Sequence, residues 1–410
     1  MSVRTIAGID IGSTKITSMI AQMDGEHIIS VFGHGTVPAR GIQRGMVVNL
    51  EDATRAVRAS ITKAEQMAGY RIGSAYVSIT GKHISTFTRR GAVAISREFD
   101  GRVNEDDILR AVETAQAEPL SQQVELLHVM PFRYTLDGNV VRDPIGMLGY
   151  RLEVDVHLVV CEVGAIQNLI TVVQNAGVDI DDVVLQQLAS AEAVLTDEDR
   201  QNGVVLVDIG TDTTGVAFVA EGNTWHTHVI PIGGHTITND LILLFGINAA
   251  AAEQTKISDG DALALPTRAS DTIVLEGQHP NEPVTISRQQ FNDAIQARSD
   301  ELIDFIIYEV SQCPYLGAYA AGIVLTGGGA QQRNLDALFY DRFNAPVRVG
   351  TTLDVEGMND ALDTPSYTTV LGLIRWGYRH GQSGKHNRDE GSMWVDTYER
   401  FKMWLREFLP

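Results

Sequence analysis

Asp10 and Asp208 are the residues whose surroundings most directly permit chemistry. Each lies near the end of an apolar run: Ile6-Ala-Gly-Ile-Asp-Ile-Gly-Ser-Thr-Lys15 in the first half, and Val204-Val-Leu-Val-Asp-Ile-Gly-Thr-Asp-Thr-Thr214 in the second. Apolar flanks predict buried strands, and Gly12 and Gly210 permit a tight reversal where each strand stops. Two such hairpins facing each other can clamp a polyphosphate. Backbone amides and hydroxyls at Gly12, Ser13, Thr14 and Lys15, and at Gly210, Thr211, Asp212 and Thr213, would meet the phosphates. The carboxylates of Asp10 and Asp208 would orient a hydrated Mg²⁺. One Asp-x-Gly-hydroxyl turn is common in ordinary hairpins, but an internal repeat of it is far more specific.

Two further glycine clusters follow. Pro231-Ile-Gly-Gly-His235 comes between a strand and an apolar helical pattern, so Gly233 and Gly234 are expected to present free amides to an anion. Ile323-Val-Leu-Thr-Gly-Gly-Gly-Ala330 runs an apolar strand into Gly327, Gly328 and Gly329, where backbone can approach a flat or anionic group. The alternative for that cluster is a flexible strand–helix turn. Other constellations are bland. His226 and His228 share one face of a strand without an evident third ligand, so a sheet-surface pair is favoured over a metal site. Arg288, Arg298 and Glu301 mark a charged face on a late helix, which alone reads as solvated. No serine or cysteine nucleophile turn is evident, and no general base stands out.

The elements that position these groups can be read in order. Strands at Lys15–Ala21 and His27–Thr36 extend the first hairpin into a meander. Asn49 caps a helix to about Met67, and Tyr76–Ile79 is the next strand. From His83 to Cys161 lies a small α+β insert with a helix over 104–117. A strand over 152–160 has apolar Leu152, Val154, Val156, Leu158 and Val160 on one face. Glu153, Asp155 and His157 on its other face predict a solvated surface. Helices follow at Ala165–Ala176 and Leu185–Leu195, then a polar connector over Asp197–Gly203. A short helix spans Ala249–Thr255, with Lys256 behind it. Loop and strand lead to a long helix from about Arg288 to Ser311, and the last apolar helices cover Leu335–Phe343 and Tyr367–Gly381.

Composition bounds the class. The chain has 410 residues, 44% of them hydrophobic, which allows several structural units with large cores. A net charge of -20 argues against a nucleic-acid partner and against purely electrostatic attachment to an anionic membrane. Two cysteines, Cys161 and Cys313, suggest neither a disulfide framework nor a zinc site. No secretory leader and no bilayer-spanning run are expected. The tail differs from the rest. Beyond a polar linker at 382–391, Trp394, Tyr398, Phe401, Leu405 and Phe408 recur at helical spacing, and Trp404 adds to that side. Charged residues fill the other face and cancel. This pattern favours an amphipathic helix lying in a membrane interface over one docked on the body or in a partner's groove.

The two hairpins and Gly327–Gly329 resemble the actin, heat-shock-70 and sugar-kinase superfamily of ATP-binding folds. Ile79-Thr-Gly-Lys-His-Ile-Ser85, His128-Val-Met-Pro131, Ala189-Ser-Ala-Glu192, Val229-Ile-Pro231, Ala321–Gly328 and the tethered tail narrow this to the FtsA family of bacterial actin-like cell-division proteins. The resemblance covers nearly the whole chain. It implies a two-lobed α/β actin-like ATPase fold binding ATP and Mg²⁺, a polymer that tethers the FtsZ ring to the inner face of the cytoplasmic membrane. Subdomain 1A would occupy 1–82 and 163–202, with an interdomain helix and a closing helix at 366–381. The 83–162 insert would be subdomain 1C, contacting other division proteins. Subdomain 2A would occupy 203–257 and 301–365, and 2B would occupy 258–300. The membrane-targeting helix would be 392–410. Arg288, Arg298 and Glu301 would then contact the FtsZ C-terminal peptide, and Glu253 and Lys256 would lie near adenosine and ribose. One departure stands out: Thr211 and Asp212 replace the glycines usual in the second hairpin, and Gly215 stands where Asp is usual. Side chains there crowd the terminal phosphate, so slow or absent hydrolysis is expected. A sugar-kinase-like phosphotransferase, a chaperone-like ATPase and an actin-like pilus-assembly adaptor are the alternative readings.

Overall fold

The computed structural model describes residues 3–381 apart from 25–26, 97–99, 269, 279–281, 316, 318, 354 and 356–361. The expected amphipathic helix at 392–410, with Trp394, Tyr398, Phe401, Trp404, Leu405 and Phe408, lies outside the described residues. Among those described, no helix is long and apolar enough to cross a membrane.

The founding repeat is a repeat of whole sheets. In the first lobe Arg4–Ile11 pairs antiparallel with Lys15–Asp24 and parallel with Ser74–Ile79. His27–Pro38 and Asp179–Leu185 take the two edges. In the second lobe Val204–Ile209 pairs antiparallel with Thr214–Ala220 and parallel with Gly322–Thr326, with Asn223–Ile230 and Val347–Val349 at the edges. Both central strands are buried along nearly their whole length, which explains why they read as continuous apolar runs rather than alternating ones. The expected two-lobed α/β architecture is what the chain adopts.

Local signals place most helices. Asn49 caps Leu50–Ala68 by accepting from the Asp52 amide, and Ala53, Ala56, Val57 and Ile61 face the first sheet. Asn104 and Asp107 form a reciprocal capping box on Glu105–Gln116, whose Ile108, Ala111, Val112 and Ala115 cover the insert sheet. The late helix runs over Arg288–Ser311 without a break at residue 300. Two helices differ from expectation. Asp197–Asn202 is helical rather than a connector, because Thr196 and Asp199 cap it reciprocally. The helix begun at Ala249 continues to Asp259, so Lys256 lies within it.

The insert's polar face is not solvated. On strand Arg151–Glu162, Asp155 and His157 are buried. Arg90 and Arg133, from the two flanking strands, each meet the Asp155 carboxylate at 2.6 Å. His157 Nε2 accepts from the Thr227 amide at 3.0 Å, and Thr86 Oγ1 donates to Thr227 O at 2.7 Å, so this face is covered by the second lobe's edge strand. Alternation located the face correctly; only tertiary packing decided what lies against it.

Burial, then the neighbouring His226 and His128, push the His157 imidazole down to about 3. The unfolded chain therefore takes a proton near pH 6.5 that the folded chain refuses until about 3, and stability falls as pH drops through that window. The expected loss between pH 7 and pH 5 is about 2 kcal/mol from this residue. Urea unfolding at both pH values should show a smaller difference in His157→Gln. An equal difference would remove His157 as the cause.

Candidate functional site

The two hairpins close with the same local geometry. The Gly12 amide donates to Lys15 O at 3.1 Å, and the Gly210 amide donates to Thr213 O at 2.9 Å. Their tips meet across the cleft between the lobes, where Thr14 Oγ1 donates to Thr211 Oγ1 at 2.7 Å. Arg44, in the corner after the first meander, gives its amide to Asp212 Oδ2 at 2.9 Å, and the Gly45 amide donates to Ser13 Oγ at 3.2 Å.

Beneath the tips lie the two carboxylates. Asp10 is buried at the end of its strand, and Ser78 Oγ donates to its Oδ1 at 2.7 Å. Burial lifts its carboxyl to about 6, against the bond from Ser78 and the charge of Lys15, and the charge of Asp208 adds to the rise. Burial also lowers Lys15, with Asp10 opposing, and the Lys15 ammonium stands 3.9 Å over the Tyr367 ring. Asp208 is fully enclosed. Its Oδ2 receives Ser190 Oγ at 2.6 Å, Gln186 Nε2 at 3.2 Å and Thr369 Oγ1 at 3.5 Å. Its Oδ1 is buried without a hydrogen-bond partner. Burial pushes the Asp208 carboxyl up, although those three donors oppose it.

This pair fits a hydrated Mg²⁺. Such an ion keeps most of its waters and needs only one or two carboxylates besides phosphate oxygens. Both carboxylates are desolvated, the Asp208 charge adds to the rise of Asp10, and Asp208 keeps one oxygen without a partner, a charge arrangement that a cation relieves. Among the described residues no group of three or more potential ligands forms a closed metal cage. A two-carboxylate water-mediated site does not require one.

Both glycine clusters pack closely against the second hairpin, and one amide of the first is engaged there. The Gly234 amide donates to Gly210 O at 3.0 Å and the His235 amide to Thr211 O at 2.8 Å. These groups are therefore not free for an anion; they fasten the second hairpin. A Cβ on Gly233 would come within 2.5 Å of Thr211 O, which explains the glycine. Gly327 has φ 81, and a side chain there would collide with Asp208 Oδ1. A Cβ on Gly329 would strike Ile209, while one on Gly328 would come within 3.3 Å of Ser366 Oγ. The triple glycine thus lets the strand–helix turn close over the base of the second hairpin.

Glu253 and Lys256 join the Gly233–Gly234 segment. Lys256 Nζ donates to Gly234 O at 3.0 Å, to Thr238 Oγ1 at 2.8 Å and to Glu253 Oε2 at 2.7 Å. Burial raises Glu253, but the bonds from Lys256 and Thr238 outweigh it and hold the carboxyl below its ordinary value. Arg288, Arg298 and Glu301 lie elsewhere, on the long helix. Arg288 pairs with Asp259 at 3.2 Å; Arg298 pairs with Asp240 at 2.6 Å and with Glu301. His226 and His228 are not alone: Glu309 lies 3.3 and 3.5 Å from their ring nitrogens. Sequence reasoning missed Ser78, Gln186, Ser190 and Thr369, which orient the two carboxylates. Each is an ordinary residue type whose role depends on a neighbour far away in the chain.

Known proteins resemble this chain throughout. The family model described as cell division protein FtsA matches residues 205–372, and that of the SHS2 domain inserted in FtsA matches residues 81–160. A type IV pilus assembly protein PilM model also matches residues 135–272. The cell division protein FtsA of Pseudomonas aeruginosa is 37% identical over 410 residues, covering 98% of either chain. That of Escherichia coli K12 is 31% identical over 417 residues, again with 98% of each covered. Among solved structures, a chain of the PilM–PilN type IV pilus biogenesis complex superposes with a TM-score of 0.62 at 15% identity, covering 91% of this chain and 98% of that one. MreB5 of Spiroplasma citri bound to ADP gives 0.53 at 14% identity, covering 91% and 96%. At these identities the two structures attest the actin-like fold and no more.

Proposed function

This chain belongs to the FtsA family of cell division proteins, and from that premise we propose that it binds Mg²⁺–ATP between its lobes. In this reading it polymerises on the inner face of the cytoplasmic membrane at the division site and tethers the FtsZ ring there. The observation that supports it most is the similarity to curated division proteins along 98% of the chain, across both hairpins and the insert. Bound Mg²⁺ would neutralise the phosphate charge and relieve the repulsion between Asp10 and Asp208. The chain's own groups do the holding. Hairpin hydroxyls Ser13, Thr14, Thr211 and Thr213 meet the phosphates, with Lys15 as counter-charge. Gly233, Gly234, Glu253 and Lys256 border the nucleoside end.

Subdomain 2B, ending in the long helix, would take the FtsZ C-terminal peptide, with Arg288, Arg298 and Glu301 exchanging their internal ion pairs for peptide contacts. The 1C insert would meet other division proteins, and the helix at 392–410 would lie on the membrane. ATP turnover would be slow or nil, because Thr211 and Asp212 bring side chains to the phosphate end of the cleft. A pilus-assembly adaptor is the second reading, favoured by the match of the PilM family model to residues 135–272. Direct binding of the FtsZ C-terminal peptide separates the two.

Liposome co-sedimentation with Mg²⁺–ATP tests the main reading, comparing the full chain with one ending at Gly384. The expected result is that only the full chain pellets, and that filaments cover the lipid by electron microscopy. A full chain that binds ATP yet stays in the supernatant would count against membrane attachment. Release of ADP that depends on an added sugar would favour a kinase.

A further inference from the structure

A third element ties the two hairpin tips together. The short strands Ile42–Gln43 and Met46–Val47 form a small antiparallel hairpin whose turn is Arg44–Gly45. Both turn residues are left-handed, with φ 51 and 74. A non-glycine residue in that region is uncommon and is held there by its surroundings. Here the arrangement sends two successive amides to different lobes: Arg44 N to Asp212 Oδ2 in the second, Gly45 N to Ser13 Oγ in the first.

The turn is mounted firmly on the first lobe. The Val48 and Asn49 amides both donate to Gly41 O, at 2.8 and 3.1 Å, closing its base. Any side chain at Gly45 would collide with Thr80 O, and a Cβ at Gly81 would lie 2.9 Å from Arg44 O. Its attachment to the second lobe is slighter. It rests on the Asp212 carboxylate, beside the Thr14–Thr211 hydroxyl contact.

We propose that the Gly41–Gly45 corner is a strap holding the lobes shut across the phosphate cleft, that Asp212 is its catch, and that a terminal phosphate releases the catch. This rests on the nucleotide-binding reading above. The residue expected from sequence to hinder the phosphate thus acquires a use. A third phosphate brings negative charge onto the second hairpin, close to the Asp212 carboxylate. Their repulsion at a partly exposed site is comparable in size to one charge-assisted hydrogen bond. A diphosphate leaves the catch closed. Because the donor is a backbone amide, side-chain changes at Arg44 leave the bond in place, whereas changes at Asp212 remove it.

The experiment measures release of fluorescent mant-ADP and mant-ATP from the full chain with Mg²⁺, for the wild type, Asp212→Ala and Asp212→Asn. Asp212→Ala, without an acceptor, should release mant-ADP about fivefold to tenfold faster than the wild type. Asp212→Asn keeps an acceptor and drops the charge. It should hold mant-ADP like the wild type and slow mant-ATP release to the mant-ADP rate. Unchanged mant-ADP release in Asp212→Ala, or an Asn variant that behaves like the Ala variant, overturns the proposal.

A nucleotide-free arm separates this from failure of ATP binding. Spin labels at Met67→Cys and Leu243→Cys, both exposed and on opposite lobes, report the interlobe distance. Native Cys161 is buried, and the partly exposed Cys313 is replaced by Ser throughout this arm. A longer or broader distance distribution in Asp212→Ala supports the strap even if mant-nucleotides do not bind. An unchanged one overturns it.

Discussion

Replacing Asp208 by Asn is expected to weaken Mg²⁺–ATP binding about 100-fold, with nucleotide affinity in EDTA changed only severalfold. The side chain keeps its volume, so Gly327 and the strand around it need not move. What changes is charge and acceptor capacity. Oδ2 takes three donors, from Ser190, Gln186 and Thr369, which fix the carboxylate's orientation, while buried Oδ1 has no protein partner. An amide in that place must turn its NH₂ toward either those donors or the open position. In the first case it opposes Ser190 and Gln186; in the second it presents hydrogens where a metal-bound water needs an acceptor. Titration calorimetry with and without Mg²⁺ decides the matter. A variant that retains the wild-type Mg²⁺ dependence would show that Asp208 does not hold the ion.

The carboxylates themselves were legible because their local setting is local chemistry: an apolar strand, one Asp, a glycine and hydroxyls, repeated. Asn49 and Asn104 were legible for the same reason, since a cap acts on the amide three residues on. What could not be read was what lies across a tertiary contact. Glu153, Asp155 and His157 alternate as a solvated face would, yet Arg90, Arg133 and Thr227 come from other strands to bury the last two. Gly233–Gly234 has the composition of an anion site, but the Gly234 amide and that of the following His235 are taken by the carbonyls of Gly210 and Thr211. Ser78 and Thr369 carry no pattern, and the motif around Ser190 does not say what its hydroxyl meets. They matter because the parallel strand beside Asp10 and two helices beside Asp208 converge on the cleft from 68, 18 and 161 residues away.

That convergence makes Gly372→Ala strongly destabilising, by about 3 kcal/mol. Helix Thr368–His380 crosses Gln186–Val194 with Gly372 at the contact, between buried Leu371 and Leu373. A methyl there would overlap Ala189 O and C, which are backbone and cannot swing aside. Alanine's better helix propensity returns only about 1 kcal/mol, so the helices must separate or the fold must strain. Separation also reaches the site, because Thr369 on one helix and Gln186 and Ser190 on the other bond to the same Asp208 carboxylate. The variant should therefore lose Mg²⁺–nucleotide affinity along with its urea midpoint. Gly164→Ala is the matched control. That glycine lies in helix Val163–Ala176 with nothing within 4 Å of an added Cβ, so the change should be neutral or stabilising by up to about 1 kcal/mol. If Gly372→Ala unfolds within about 1 kcal/mol of the wild type, the two helices are not tightly packed on each other at Gly372. The shared grip on Asp208 would then have to be maintained by loop adjustment rather than by packing.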